Sequence, residues 1–158
     1  MKAATQIGVR DNTRQAIAES LGHVLADTYI LYLKTQNFHW NVTGPNFHAL
    51  HAMFEEQYQE LAGAVDEVAE RIRALGRPAP GSYREFAELG SLAEAQGQPD
   101  AEAMLRILAE DHETLARHLR DAVTLAEEAG DHATADLLGG RLVTHEKTAW
   151  MLRSSLSR

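Results

Sequence analysis

Imidazole and carboxylate side chains are concentrated in one stretch of the sequence, between Asn37 and Glu70. Two helix-like runs meet within this stretch, at a break with the sequence Asn-Val-Thr-Gly-Pro. The side chains there that could bind a cation include His39, His48, His51, Glu55, Glu56, Asp66, Glu67 and Glu70. Imidazole combined with carboxylate is a typical donor set for a first-row metal such as iron. The stretch therefore predicts a metal site, and helical geometry decides which of these side chains can share an ion.

Asp66 and Glu70 lie on the same face of the second run as His51, but far from it along the helix axis. At about 100° per residue, His51, Glu55, Asp66 and Glu70 fall within an arc of about 100°. His51 and Asp66 are fifteen positions apart in the sequence, and helical rise converts that separation to about 22 Å. Metal–ligand bonds are about 2 Å long, so these two side chains cannot bind one ion within the same chain.

The break brings a second histidine close to the first. His39 precedes the break by about one helical turn and His51 follows it by about two, so the two imidazoles reach similar heights in an antiparallel helix pair. Glu55 lies beside them, whereas Asp66 and Glu70 lie at the other end of the second helix. A two-fold axis would place His51 of one chain opposite Asp66 and Glu70 of its mate. The spacing therefore predicts two shared sites in each dimer.

The same residues also have simpler interpretations. Asp66, Glu67 and Glu70 could form a solvated surface that pairs locally with Arg71 and Arg73. Trp40 could be a core or interface aromatic. The remaining helix histidines could be structural or solvated: His23, His112, His118, His132 and His145. A di-iron site inside a single bundle would need Glu-x-x-His pairs, and no glutamate in this sequence has a histidine three positions later.

Four long amphipathic helices are predicted to position these side chains. Apolar residues at three-to-four spacing predict a first helix from residue 13 to Trp40 and a second from Pro45 to Leu75. Asp100 and Asp131 are predicted N-caps of a third and a fourth helix. The predicted inward-facing stripes include Leu33, Val143 and Trp150.

The connection over residues 76–98 is rich in proline and glycine, and its segment SYREFAELGSL predicts one short helix. A connection of this length suits a chain that crosses the whole length of a bundle. The pattern predicts an all-α four-helix bundle with one crossover, as a single domain of residues 13–156 behind a short flexible tail of residues 1–12. Gly139-Gly140 inside the fourth helix predicts either a close approach of backbones or a bend.

Composition excludes several classes of protein. The 158-residue chain has a formal net charge of -8, so binding to nucleic acid would require a local basic arm. There is no cysteine, which excludes disulfides, thiolate metal sites and thiol catalysis. No apolar leader or membrane-length segment is present. These features predict a cytoplasmic protein.

Two motifs resemble those of a known family. The segments NFHWNVTGPNFHALHAMFEEQY and HEKTAWMLRSSL are similar to the Dps family of mini-ferritins, the starvation-induced DNA-protecting proteins. The similarity extends over the helix lengths and the crossover with its short helix. It implies a ferritin-like fold and a spherical dodecamer, built from two-fold dimers, with a hollow iron store. It also implies that Fe(II) is oxidised, typically by hydrogen peroxide, and that ferric mineral is deposited inside.

The resemblance also implies roles for individual residues. His39 and His51 match the histidines of the family's ferroxidase centre, and Asp66 and Glu70 match the carboxylates supplied by the mate. Glu55 matches a position that is usually acidic, often as aspartate. Trp40 matches an aromatic thought to take up stray oxidising equivalents. The implied cofactor and cargo is iron, as Fe(II) and Fe(III).

The sequence departs from DNA-binding members of the family, which often have a lysine-rich N-terminal tail. The cations near the two termini are few: Lys2, Arg10, Arg14, Arg153 and Arg158. The alternative function is a DNA-binding shell that protects the nucleoid by coating it, and a third is a scaffold that holds zinc or another inert ion. The acidic residues near the junction of the third and fourth helices could line an iron pore or act as helix caps and surface charge: Glu127, Glu128, Asp131 and Asp136.

Overall fold

The computed structural model describes residues 5–157, and these residues form five helices and no strand. The helices are α1 (Asp11–Asn41), α2 (Phe47–Ala74), α3 (Tyr83–Leu89), α4 (Ala101–Glu128) and α5 (His132–Ser154). The predicted all-α fold class and the short helix in the crossover are confirmed. None of the helices in this part of the chain is both long and apolar enough to cross a membrane.

The helices pack as two hairpins that share one apolar core. α1 packs along α2 and α4 packs along α5, while α1 also contacts α4 and α3. The core contains fully buried side chains from every long helix, including Leu21, Phe54, Leu115 and Leu152. The architecture is the predicted four-helix bundle with a long crossover between α2 and α4.

Side-chain caps fix where the later helices begin. Ser82 accepts a hydrogen bond from the Glu85 amide at the start of α3, and Asp100 accepts one from the Ala103 amide at the start of α4. Such caps satisfy amides that have no partner within the helix. The Ser82 cap therefore starts the short helix within the crossover, and the Asp100 cap marks the end of the crossover.

The crossover is attached to α1 by a buried carboxylate. Asp27 is 2% exposed and accepts hydrogen bonds from the backbone amides of Ser91 (2.6 Å) and Leu92 (3.0 Å). A Cβ at Gly90 would lie 2.4 Å from the Ile30 side chain and 2.8 Å from the Phe86 carbonyl oxygen. Glycine is therefore required where the crossover passes closest to α1.

The N-terminal boundary differs slightly from the prediction. α1 begins at Asp11, and the buried Arg14 donates hydrogen bonds to the carbonyl oxygens of Val9 (2.8 Å) and Thr5 (2.7 Å). The Thr5 hydroxyl in turn donates to the Ala74 carbonyl at 2.8 Å. The part of the predicted tail over residues 5–10 therefore lies against the bundle, and residues 1–4 are outside the described residues.

The prediction of an inward-facing side chain is wrong at three positions. Leu33, Val143 and Trp150, predicted to face inward, are 46%, 68% and 63% exposed, because the apolar stripes of α1 and α5 are wider than one bundle can cover. Of the two alternatives predicted for Gly139-Gly140, the close approach is absent among residues 5–157, since a Cβ at either glycine would meet nothing within 4 Å. α5 is continuous through both positions.

Candidate metal centre

His39 and His51 lie side by side where α1 ends and α2 begins. Their rings stack with centroids 3.8 Å apart and an angle of 14° between the planes. His39 is 7% exposed and His51 is half-buried. The turn between the helices, with Gly44 at a φ of 115°, brings together two residues twelve positions apart. We call this pair, together with Glu55, the histidine half-site.

Reciprocal hydrogen bonds determine which nitrogen of each imidazole is free. His39 Nδ1 lies 2.7 Å from the His51 carbonyl oxygen, and His51 Nδ1 lies 2.7 Å from the His39 carbonyl oxygen. A carbonyl oxygen can only accept, so both Nδ1 atoms carry the proton and donate. Each neutral imidazole then has its lone pair on Nε2, which is the arrangement that second-shell hydrogen bonds impose on metal-binding histidines.

Aromatic rings flank the histidine half-site on two sides. Phe47 stacks on His51 with 5.0 Å between centroids, and Tyr58 contacts His39 edge-on at 5.1 Å. Glu55, one turn after His51, is half-buried. The packing fixes both imidazole planes and leaves one carboxylate within the same region of α2.

The second group of predicted ligands lies near the other end of α2. Asp66 and Glu70 are exposed and one helical turn apart. Hydrogen bonding with Asp66, together with the charge of that carboxylate, raises the pKa of Glu70. Two carboxyl groups this close repel each other when both are ionised, so a cation bound to both would relieve the repulsion. We call this pair the carboxylate half-site.

One chain does not join the two half-sites. Among residues 5–157 no group of three or more histidine, cysteine, aspartate or glutamate side chains is arranged to hold a metal ion. The alternative of local ion pairs is also unsupported, because Arg71 pairs with Asp131 at 2.8 Å and Arg73 donates to the Arg77 carbonyl oxygen. The carboxylate half-site therefore forms no ion pair with the described part of the chain.

Trp40 adjoins the histidine half-site in sequence but not in packing. Its side chain is 60% exposed, and it takes part in no ring contact among the described residues. It is therefore not a core aromatic of the single chain. Its role in taking up oxidising equivalents stays a prediction.

A second pair of histidines, which the sequence interpretation left as isolated residues, lies inside the bundle. His112 Nδ1 and His145 Nδ1 are 2.8 Å apart, and Arg141 donates to His145 Nε2 at 3.0 Å while also pairing with Glu60 at 2.9 Å. His145 must therefore carry its proton on Nδ1 and donate to His112. His112 Nε2 is then a buried donor with no partner among the described residues.

Burial keeps both interior imidazoles neutral. Desolvation, followed by the nearby Arg141 charge, lowers the pKa of His112 to about 3. Desolvation also lowers the pKa of His145, with His112 and Arg141 adding to the effect. Their position could have been inferred from the sequence, because His112 continues the spacing of Leu108 and Leu115 on the apolar face of α4.

Asp131 is a cap rather than a pore residue. It is 2% exposed, it accepts from the Thr134 amide at 3.1 Å, and it pairs with Arg71 at 2.8 Å. Burial alone would raise the pKa of Asp131, but the hydrogen bonds from Thr134 and the charge of Arg71 lower it. Of the acidic residues predicted as an alternative pore lining, Glu127, Glu128 and Asp136 remain exposed.

Two of the terminal cations are already bound within the chain. Arg14 is 7% exposed and donates hydrogen bonds to the carbonyl oxygens of Thr5 and Val9. Arg153 forms a two-point pair with Glu113, with both N–O distances at 2.9 Å. Arg10 is exposed, and Lys2 and Arg158 lie outside the described residues. The few cations near the termini that could contact DNA are thus reduced further.

Comparison with known proteins identifies the family of this chain. The ferritin-like domain family matches residues 18–158. An uncharacterized low temperature-induced protein of Nostoc sp. is 45% identical over 150 residues, covering 94% of this chain and 84% of that protein. The DNA protection during starvation protein 2 of Bacillus anthracis is 39% identical over 142 residues, covering 90% of this chain and 97% of that protein.

Comparison with a solved structure supports the same family through the fold. The Dps protein of Vibrio cholerae, described as a member of a broad superfamily of ferritin-like diiron-carboxylate proteins, superimposes with a TM-score of 0.92. Its sequence is 32% identical, and the match covers 98% of this chain and 97% of that chain.

Proposed function

Since this chain belongs to the Dps family of ferritin-like proteins, we propose that it is a ferroxidase and iron-storage protein. It oxidises Fe(II) with hydrogen peroxide at sites shared between two subunits of a dodecameric shell. The ferric product is stored as mineral within the shell, which protects the cell from oxidative damage.

The single observation that carries the proposal is the reciprocal hydrogen bonding of His39 and His51. It leaves two neighbouring Nε2 lone pairs available, on rings whose planes are fixed by packing. Neutral imidazole is a good ligand for Fe(II). A structural histidine pair would use these lone pairs within the chain, as His112 and His145 do.

The carboxylate half-site completes the donor set from a second chain. Asp66 and Glu70 are exposed and form no ion pair within the described residues, and their mutual repulsion favours a cation. Carboxylates also stabilise the more highly charged Fe(III). Because His51 and Asp66 lie about 22 Å apart along α2, a two-fold axis near the middle of that helix pairs each half-site with its complement.

The face of α2 between the half-sites permits this dimer. Gln59 and Ala62 lie on the same side of the helix as Asp66 and are exposed in the single chain. A small residue at Ala62 lets two antiparallel helices approach closely. Further exposed apolar side chains provide surface for larger assembly: Leu33, Val143 and Trp150.

The proposed reaction balances without a radical product. Two Fe(II) ions each lose one electron, and hydrogen peroxide takes up both electrons and two protons. The O–O bond breaks and two water molecules form. Protein groups contribute by holding the irons: His39 and His51 supply Nε2, Asp66 and Glu70 supply carboxylate oxygens, and Glu55 is placed to contribute another.

The experiment that tests the proposal compares initial rates of Fe(II) consumption after peroxide is added anaerobically. His51→Ala and Asp66→Ala are each expected to lower the rate at least about tenfold, since each removes a direct ligand. His48→Ala is the matched control, because His48 lies one turn before the site on α2 and is exposed.

Equal rates for all three variants and the wild type would reject the proposal. Fe(II) that binds stoichiometrically but is not oxidised faster than in buffer would indicate instead a scaffold holding an inert ion. The DNA-coating alternative is less well supported, because the chain has a net charge of -8 and Arg14 and Arg153 are occupied.

A further inference from the structure

The four tyrosines of the sequence form one continuous series of ring contacts that begins at the histidine half-site. Tyr58 contacts His39 with 5.1 Å between ring centroids, and Tyr32 lies 6.1 Å from Tyr58. Tyr29 lies 5.7 Å from Tyr32 and 6.3 Å from Tyr83. No tyrosine of the chain lies outside this series, which we call the tyrosine series.

The tyrosine series runs from the interior to the surface. Tyr58, Tyr32 and Tyr29 are half-buried, whereas Tyr83, at the start of α3, is 76% exposed. Tyr29 and Tyr83 also border a cavity of about 210 Å³ between α1 and the crossover. In the single chain, a small solute can therefore reach the outer end of the series while the inner end contacts the half-site.

The phenol of Tyr29, in the middle of the series, stays protonated at neutral pH. Burial raises the pKa of Tyr29 above its ordinary value, and the neighbouring Tyr83 and Tyr32 add to the rise. Removing an electron from such a phenol makes it a strong acid, so the proton must leave together with the electron. Each transfer along the series is then the movement of one hydrogen atom in net terms.

We propose that the tyrosine series carries one-electron oxidising equivalents from the iron site to Tyr83 at the surface. The inference rests on the proposed ferroxidase function, because the oxidant arises there. It concerns the occasional turnover in which a single Fe(II) meets peroxide.

In that turnover Fe(II) gives one electron to hydrogen peroxide, the O–O bond breaks, and Fe(III), hydroxide and a hydroxyl radical form. The radical takes a hydrogen atom from the Tyr58 hydroxyl and becomes water, which leaves a phenoxyl radical on Tyr58. Tyr32, Tyr29 and Tyr83 then each pass one hydrogen atom inward, so the radical ends on Tyr83. A soluble thiol restores Tyr83 by giving it one hydrogen atom and is itself oxidised to a thiyl radical.

The geometry favours the tyrosines over Trp40 as the path for these equivalents. Trp40 is adjacent to His39 in sequence, yet it makes no ring contact among the described residues. Tyr58 contacts the His39 ring directly. The surface end of the path is accordingly on α3, away from the turn that carries Trp40.

The test adds substoichiometric Fe(II) and excess peroxide to the assembled protein in the presence of a nitroso spin trap. Mass spectrometry then locates the trapped radicals, and Fe(II) consumption is followed in the same samples. The wild type is expected to carry the adduct on Tyr83. Tyr32→Phe is expected to lose that adduct and to gain one on Tyr58, with Fe(II) consumption unchanged.

Tyr58→Phe is expected to lose the adduct at Tyr83 without gaining one on Tyr32. Trp150→Phe is the matched control, because it removes an exposed aromatic ring outside the series and leaves the Tyr83 adduct in place. Persistence of the Tyr83 adduct in both Tyr58→Phe and Tyr32→Phe would overturn the proposal. So would Fe(II) consumption by the wild type without any tyrosine adduct.

A second arm generates the oxidant without iron. The chain has no cysteine, so Phe47→Cys provides a single attachment point, next to His51, for a ruthenium photo-oxidant. A flash is expected to produce the Tyr83 adduct in this background and not when Tyr58→Phe is added. If His51→Ala leaves Fe(II) consumption unchanged, the ferroxidase proposal fails, and this arm alone decides whether the series conducts.

Discussion

The two histidine pairs of this protein differ in where their lone pairs point, and that difference assigns their roles. In the pair His39 and His51, backbone carbonyls take both Nδ1 protons, so both Nε2 atoms are free to bind a cation. In the pair His112 and His145, one imidazole accepts from the other and Arg141 occupies a further nitrogen. The first pair is therefore suited to a metal and the second to holding helices together.

The interior pair predicts acid sensitivity. Desolvation lowers the pKa of His112 to about 3 and that of His145 also falls, so the unfolded chain takes up protons before the folded chain does. The contribution of each imidazole to stability is complete above about pH 6.5 and decreases as the pH falls, by up to about 1.4 kcal/mol per pH unit.

Thermal or denaturant unfolding between pH 7.5 and pH 5 measures this effect. The double variant His112→Leu with His145→Leu is expected to show a shallower loss of stability over that range, whereas exposed His132→Ala should behave as the wild type. Parallel pH profiles for all three proteins would show that His112 and His145 are not the source of the acid sensitivity.

The sequence pattern is sufficient to predict that these histidines face inward, but it is not sufficient to predict that they contact each other. His112 and His145 follow the apolar spacing of α4 and α5, yet they are thirty-three positions apart. Their contact depends on the relative rotation of two helices, which many side chains determine together. By contrast, the proximity of His39 and His51 follows from one short turn and helical rise, so it could be derived from the sequence.

At the scale of helices, α2 carries the carboxylate half-site together with His51 and Glu55, whereas His39 lies on α1. The end of α2 is fixed by α5. Arg71, in the last turn of α2, bonds to the Thr134 hydroxyl at 2.9 Å and to the Asp131 carboxylate at 2.8 Å. Asp131 also caps α5. One carboxylate therefore fixes the end of the helix that presents Glu70.

Replacing that carboxylate is expected to destabilise the bundle. Asp131→Ala removes an N-cap and leaves Arg71 without its partner, which together should cost about 2 to 4 kcal/mol in the free energy of unfolding. Asp136→Ala, in the same helix but exposed, should change the value by less than about 0.5 kcal/mol. Denaturant titrations of both variants measure the difference, and equal losses would refute the assigned role of Asp131.

Helix caps and chain breaks made the helix boundaries predictable from the sequence. The long-range polar contacts could not be predicted in the same way. Asp100 and Asp131 were predicted as N-caps because each precedes an amphipathic run after a proline or glycine. Asp27 was not singled out, because its partners Ser91 and Leu92 lie in the crossover, more than sixty positions away. Its burial depends on how the crossover lies on α1, and no local pattern encodes that.

At the scale of the whole molecule, the proposed metal site is not complete in a single chain. Large apolar side chains remain exposed, and the described residues of one chain offer no complete metal-binding group. The sequence indicated this through one distance, the rise between His51 and Asp66. The residue pattern alone did not indicate the size of the assembly, which only the family resemblance implied, because Leu33, Val143 and Trp150 were counted toward the core of one bundle.

Each metal site is proposed to take histidines from one subunit and carboxylates from another. Co-expression of two differently tagged chains, one with His51→Ala and one with Asp66→Ala, tests this proposal most directly. In a mixed dimer one site lacks both residues and the other is intact. With random pairing of equal amounts, about a quarter of the wild-type sites are restored. Peroxide-driven Fe(II) oxidation near that fraction is expected in the co-assembled shell, well above either variant alone. A mixture no more active than the single variants would rule out the shared site.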